Sequence, residues 1–444
     1  MPGPGLRRAA RVLIPGEPAA ADGARTATLL VGAALAAVAV WANLVRQPGS
    51  ALDNLWAEDG RVFLTQGWRF PLWTTVGISP NGYLDLYPRV VAAVAAALPV
   101  GTAAVVMAAG GAAASGIAVL AVVIATEGHL PSLLARAGLG LAVALFPAAG
   151  FEIAANTANA HWYLVAASFF LLLWTPRSWV GTAAAALAVL AAAGSDPLAV
   201  LLAPIALIRL LARVRGSVVV VMALVVGLAI HLRSLLTHPI GPPAAGASAG
   251  RLGEAYLYRV VAVAVTGLRV ARPPGPAVLA GSVAAVVVVT AAALLLTRRR
   301  TRTAALLAAC LCWSVLMFVV PIRLRWSDAF LGAGDPRLGS RYVLLPWLLL
   351  LLAGAAFVDA ITARWAARGP VAMLAGLAWP AAVLAICVPT FSAGATRAPS
   401  YTAQLPAARA TCQQASDPAA VRIRGYPNLA WSSVLPCAVL QDGP

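Results

Sequence analysis

Apolar runs of about 15–25 residues recur along this chain, separated by short polar loops. A helix needs roughly 20 such residues to cross a bilayer, and lipid offers its backbone no partner outside the helix itself. The pattern therefore predicts an all-α polytopic membrane protein with about eleven transmembrane helices. They fall at residues 28–45, 101–125, 135–150, 160–175, 179–194, 197–211, 217–235, 276–296, 304–321, 341–361 and 371–390. Residues 84–98 are apolar but short, and Pro88 and Arg89 interrupt their start, so an interfacial helix is expected there, with a second at 256–270.

Composition sharpens this reading. The 444 residues are 61% hydrophobic and 11% charged, too apolar to cover a soluble globule. A net charge of +17 would suggest nucleic acid as partner in a soluble protein. Here the arginines sit mostly in loops between spans, where they read as topology signals and not as a nucleic-acid surface. The arginine-rich residues 1–26 are expected to form a disordered cytoplasmic lead, and residues 46–100 then lie outside. Arg136, Arg177, Arg209, Arg213, Arg215, Arg298–Arg300, Arg302, Arg364 and Arg368 all fall inside, and the C-terminus falls outside the cytoplasmic membrane. The chain contains no lysine, which excludes a Walker A phosphate loop and a Schiff-base enzyme.

Residues 27–390 form the transmembrane domain, and residues 391–444 a polar tail whose turns and short runs predict a small β-rich appendage. On this topology Cys412 and Cys437 meet an oxidising compartment and can pair as a disulfide. Cys310, Cys312 and Cys387 lie in apolar spans as packing residues.

Chemistry concentrates on the outer face. The 35 residues from Leu55 to Arg89 hold Glu58, Asp59, Asp85, Trp56, Trp68, Trp73, Tyr83, Tyr87, Arg61, Arg69 and Arg89. Later outer loops add Glu152, Asn156, Asn159, His161, Ser195, Asp196, His231 and His238. The loop before the tenth span adds Arg323, Arg325, Asp328, Asp335, Arg337, Arg341 and Tyr342. Charges at membrane depth are costly, so acids and arginines gathered on one face are functional candidates. Plainer roles compete with this. Glu58-Asp59 suits a helix N-terminus, the tryptophans suit an interfacial belt, Asp196 suits a hairpin cap, and His161 suits a hydrogen-bonded boundary residue.

Four local patterns resemble the GT-C superfamily of integral membrane glycosyltransferases. Trp56-Ala57-Glu58-Asp59-Gly60 follows the first span, where that family keeps its acidic residues. Asn81-Gly82-Tyr83-Leu84-Asp85-Leu86-Tyr87-Pro88 is similar to the segment opening the next helix. Gly194-Ser195-Asp196-Pro197-Leu198 resembles a mid-chain hairpin, and Gly339-Ser340-Arg341-Tyr342-Val343-Leu344-Leu345-Pro346 resembles the start of a late span.

The resemblance implies transfer of a sugar from a polyprenyl-phosphate donor to an envelope glycan, lipid or protein acceptor. Glu58 or Asp59 would be the base. Arg89 or Arg341 would meet the donor phosphate, where arginine's permanent charge and forked donors suit developing negative charge. Tyr342, Asp85, Asn156, His161 and Asp196 would line the substrate. Some members of the family bind a divalent metal near the acid, and two carboxylates could hold one, but no ligand spacing here demands it. The alternatives are a transporter of lipid-linked sugars or small solutes, and a non-catalytic envelope assembly protein that binds through its tail.

Overall fold

A computed structural model describes all of the chain except residues 1–3, 17–21, 48, 77, 79–83, 150–151, 238–246, 268–274, 326–338, 392–397, 415–418 and 442–444. Asn81, Gly82, Tyr83, His238, Asp328, Asp335 and Arg337 lie outside the described residues, as does the side chain of Arg325.

The apolar runs become helices, as lipid requires of a spanning backbone. Among the described residues, seven are long and apolar enough to cross a membrane: Gly23–Arg46, Val100–Ala125, Ser217–Thr237, Pro276–Thr297, Thr301–Leu324, Leu344–Arg364 and Ala366–Thr390. The chain is thus an all-α polytopic membrane protein. Leu344–Arg364 is enclosed over most of its length, with Trp347 at its heart. Pro276–Thr297 runs at the periphery and buries only Ser282, Ala293 and Thr297.

Among the described residues, five further apolar helices are shorter: Leu86–Ala96, Leu133–Ala144, His161–Leu173, Trp179–Ser195 and Pro197–Ala212. Twelve residues of α-helix make about 18 Å, well short of a hydrocarbon core of about 30 Å. Every residue of His161–Leu173 is buried, in keeping with a helix that is apolar on all sides.

Short helices end inside the protein, where water cannot reach their last carbonyls. Arginines take water's place. Arg46 donates from Nη1 to Phe146 O (2.9 Å) and from Nη2 to Leu145 O (3.1 Å), just beyond Leu133–Ala144. Arg209 donates from Nη1 to Leu172 O (2.9 Å) and to Trp174 O, at the end of His161–Leu173. Arg136 donates to Val123 O (3.1 Å) and to Thr28 Oγ1. Arg136 and Arg209 are 4% and 0% exposed, so they are buried helix caps and not the solvated topology charges expected of them. Hydropathy cannot separate the two roles, because both place an arginine near a helix end.

The N-terminal lead also departs from expectation. Pro4–Leu13 is an amphipathic helix, with Ala10 and Ile14 buried and Arg8 and Arg11 exposed. Arg11 Nε donates to Ala212 O (3.2 Å), His129 Nε2 lies 2.8 Å from Leu13 O, and Thr175 Oγ1 donates to Pro15 O (2.7 Å). Its arginines mark charge, but their spacing leaves one face free to pack.

The first loop after Gly23–Arg46 holds a single turn at Ala51–Asp53, a π-helical turn at Asp59–Leu64, and short helices at Thr65–Arg69 and Leu72–Thr75. Leu86–Ala96, with eleven residues, is too short to cross a bilayer unaided. Residues 249–266 form one helix interrupted by a π-turn at Leu257–Ala262.

The tail is not a β-rich appendage. It is a fourteen-residue helix, Tyr401–Gln414, an antiparallel pair β1 (Ala420–Ile423) and β2 (Ser433–Pro436), and a last turn at Cys437–Gln441. Cys412 and Cys437 form a disulfide. Its apolar residues Tyr401, Leu405, Val421, Ile423 and Leu435 share one core with Leu55, Phe63, Leu64, Ala92 and Ala95 of the first loop. A tail too small for its own core has borrowed one.

Candidate functional site

Glu58 and Asp59 are neighbours with different environments. Asp59 is 2% exposed, and its carboxyl accepts the backbone N–H of Thr157 (Oδ2, 3.0 Å) and of Ala158 (Oδ1, 2.6 Å) from the second loop, just before His161–Leu173. Burial pushes its carboxyl up to about 8 against the pull of those two donors, with Glu58 adding a smaller push. Glu58 is half-buried and has no hydrogen-bond or ion-pair partner among the described residues. The pair sits at the start of the π-turn, in which the Thr65 hydroxyl donates to Gly60 O (2.8 Å). Such turns recur at functional sites.

The second loop is pressed against Val100–Ala125. Thr157 Oγ1 donates to Met107 O, and a Cβ on Gly111 would stand 2.5 Å from Asn156 N and 2.7 Å from Ala155 C. Only glycine permits this approach. Asn156, expected to line the substrate, is instead engaged within the loop: Nδ2 donates to Glu152 O (2.9 Å) and Oδ1 accepts from Asn159 N (3.0 Å).

The loop leads into His161, whose Nε2 lies 3.5 Å from Asp196 Oδ2. Asp196 also caps the 197–202 turn by accepting Leu198 N–H (2.8 Å), which is the hairpin role expected of it. Arg341 and His231 stand within electrostatic reach of His161. Beside Asp196, Ser195 Oγ accepts Tyr87 N–H (2.8 Å), tying the mid-chain hairpin to the first loop.

Glu152 ties in the late span. Its carboxylate accepts Gly339 N–H (3.1 Å) and lies 3.4 Å from Ser340 Oγ, immediately before Arg341. Tyr342 meets Trp162 edge to face at 4.8 Å between ring centroids, and the Arg341 guanidinium lies 5.3 Å from the Tyr342 ring. Asp59, Asp196 and the segment carrying Arg341 are therefore all linked through residues 152–162, with Glu58 next to Asp59 in the chain.

Arg89 is not part of that cluster. Its Nε, Nη1 and Nη2 donate to Leu84 O (2.7 Å), Gln66 Oε1 (2.6 Å) and Ile78 O (2.6 Å), and it is 2% exposed. It clamps the first loop and has no free fork for a phosphate. Asp85, which lies within electrostatic reach of Arg89, is buried beside it at φ +54°, as part of the same clamp.

Among the described residues, three of the four non-glycine residues with positive φ lie in these two loops: Ala57 (+21°), Asp85 (+54°) and Ala155 (+43°). Backbone held in such regions clusters at functional sites.

Sequence reasoning gave Glu152, Ser195 and Thr157 no role. Glu152 carried a signal, as an acid beside an apolar span, whereas Thr157 acts through its backbone and carried none. Among the described residues, no group of three or more His, Cys, Asp and Glu side chains could hold a metal ion. The chain matches no protein-family model, no curated protein and no solved structure.

Proposed function

We propose that this chain is a GT-C-like membrane glycosyltransferase that moves a sugar from a polyprenyl-phosphate carrier to a cell-envelope glycan, lipid or protein. It crosses the cytoplasmic membrane eleven times, with its N-terminus inside and its C-terminus outside. The four short helices from Leu133–Ala144 to Pro197–Ala212 count as crossings because they pack against longer ones, as Trp179–Ser195 does against Ser217–Thr237. A disulfide in the tail accords with an oxidising outer compartment.

The observation that carries this reading is the pairing of Glu58, which has no partner among the described residues, with a buried Asp59 fixed to the loop that leads to His161, Asp196 and Arg341. Glu58 is the base. It takes the acceptor hydroxyl proton as that oxygen bonds to the anomeric carbon. The bond from that carbon to the phosphate oxygen breaks, and the electron pair leaves with the polyprenyl phosphate. Arg341 meets the negative charge that develops there. Asp59 positions Glu58 and takes no part in proton transfer, and the Asp196–His161 pair lines the acceptor side.

The test is envelope glycan and glycolipid composition in a deletion strain complemented with wild type, Glu58→Gln or Arg341→Ala at matched membrane expression. Wild type restores the missing sugar, and Glu58→Gln does not. Full restoration by Glu58→Gln refutes the base assignment and brings transport or scaffolding forward.

A further inference from the structure

The first loop reaches its acid pair between two sets of bonds to the tail. Before the pair, Tyr426 N–H donates to Leu55 O (3.0 Å) and Ala57 N–H donates to Tyr426 O (2.6 Å), so Trp56 is bracketed on both sides. The Trp56 and Tyr426 rings pack at 5.4 Å. After the pair, Val434 N–H donates to Thr65 Oγ1 (2.9 Å), the hydroxyl that in turn holds Gly60 O. The Arg61 guanidinium lies 5.3 Å from the Trp431 ring.

The tail has its own anchors. Tyr401 donates its hydroxyl to Val100 O (2.9 Å), and Asp53 accepts Thr402 N–H (2.8 Å) and the Ser400 hydroxyl at the start of the Tyr401–Gln414 helix. The disulfide joins the far end of that helix to the residue that follows β2.

Ala57, immediately before Glu58, sits at a φ of +21°, which alanine adopts only under constraint. Among the described contacts, the N–H···O bond to Tyr426 supplies it.

We propose that the C-terminal tail is a positioning element for Glu58 and Asp59, with Tyr426 as its contact residue and the Cys412–Cys437 disulfide as the lock that keeps it seated. The positioning stands on geometry alone; only its consequence for turnover rests on the glycosyltransferase reading.

The experiment is amide hydrogen exchange on the full-length oxidised protein, with and without a small dithiol reductant. Reduction passes two electrons and two protons to the cystine, and the reductant closes into its own disulfide. Cys310, Cys312 and Cys387 are free thiols, so the reductant has no other described bond to act on.

The expected result is exchange at Ala57 and Gly60 at least tenfold faster on reduction, with Leu344–Arg364 unchanged. Cys412→Ser/Cys437→Ser gives that faster rate without reductant and no further response, and Tyr426→Pro, which removes the N–H that Leu55 O accepts and the ring packed on Trp56, gives it with the disulfide intact. If residues 401–441 open while Ala57 and Gly60 keep their protection, the proposal is overturned. Donor turnover is read in parallel, and positioning predicts a fall in kcat at unchanged donor KM. Loosened amides with unchanged turnover leave the positioning intact and refute Glu58 as the base.

Discussion

Replacing Asp59 by asparagine separates the two things its carboxyl does. Both oxygens accept a backbone N–H, from Thr157 and Ala158. Asparagine keeps one acceptor and turns an NH2 toward the other donor, which strands a buried N–H at a cost of about 1–3 kcal/mol. The variant escapes a second penalty. Burial raises the Asp59 carboxyl from 3.8 to about 8, so the folded state holds a proton that the unfolded chain gives up. Stability from that proton is fully present below the unfolded value and is lost as pH rises toward about 8.

Between these limits wild type loses about 1.4 kcal/mol per pH unit, and asparagine loses nothing. Asp59→Asn is therefore the looser protein below about pH 4 and draws level roughly one to two units higher. By pH 8 it is the tighter one. A polytopic protein does not unfold in two states, so the quantity to read is local exchange at Thr157 and Ala158. Comparing the two proteins at each pH cancels the intrinsic pH dependence of exchange. The ratio of their rates shifts toward the variant by up to about tenfold per pH unit. A ratio that stays flat from pH 5 to pH 8 refutes a buried, protonated Asp59.

Two further perturbations test the surroundings. Gly111→Ala drives a methyl into the backbone of Ala155 and Asn156, which costs about 1–3 kcal/mol and displaces the second loop. Faster proteolysis within residues 152–160, with sugar transfer lost, is the expected outcome, and native protease resistance contradicts it. Asp53 loses solvation on burial, yet hydrogen bonds from Ser400 and Thr402 hold its carboxyl below the usual value. Their stabilisation is present above the unfolded pKa and is lost as pH falls through the folded one. The start of the tail helix therefore exchanges faster in acid in wild type, and Asp53→Asn removes that pH response.

Much of the fold was legible because bilayer thickness imposes one length scale on the sequence. Every apolar run from 28–45 to 371–390 became helix, and residues 84–98 proved as short as they read. The polar residues Glu58, Asp196 and Arg341 were legible as candidates, since they are rare polar residues beside apolar runs. Their surroundings were not. Nothing local marks Asp59 as the buried acid and Glu58 as the one with no partner among the described residues, because the donors to Asp59 are backbone groups about a hundred residues away. Arg89 read as a phosphate ligand because its carbonyl partners Leu84 and Ile78 have no signature in side-chain chemistry. The tail read as an appendage because its bonds to Leu55 and Ala57 are main-chain pairs between segments far apart in sequence.

The arginine caps also put the helices under a timetable. A helix of twelve or thirteen residues is a poor independent client for insertion, and its exposed carbonyl end makes it poorer. Arg46 is synthesised about a hundred residues before Leu145 and Phe146, so the cap for Leu133–Ala144 is waiting when that helix emerges. Arg209 is made more than thirty residues after Leu172 and Trp174. The end of His161–Leu173 stays uncapped until Pro197–Ala212 has left the ribosome, and the hairpin carrying Asp196 is completed in that same interval. Biogenesis thus leaves the helix that carries His161 unsettled until Asp196 has arrived to face it.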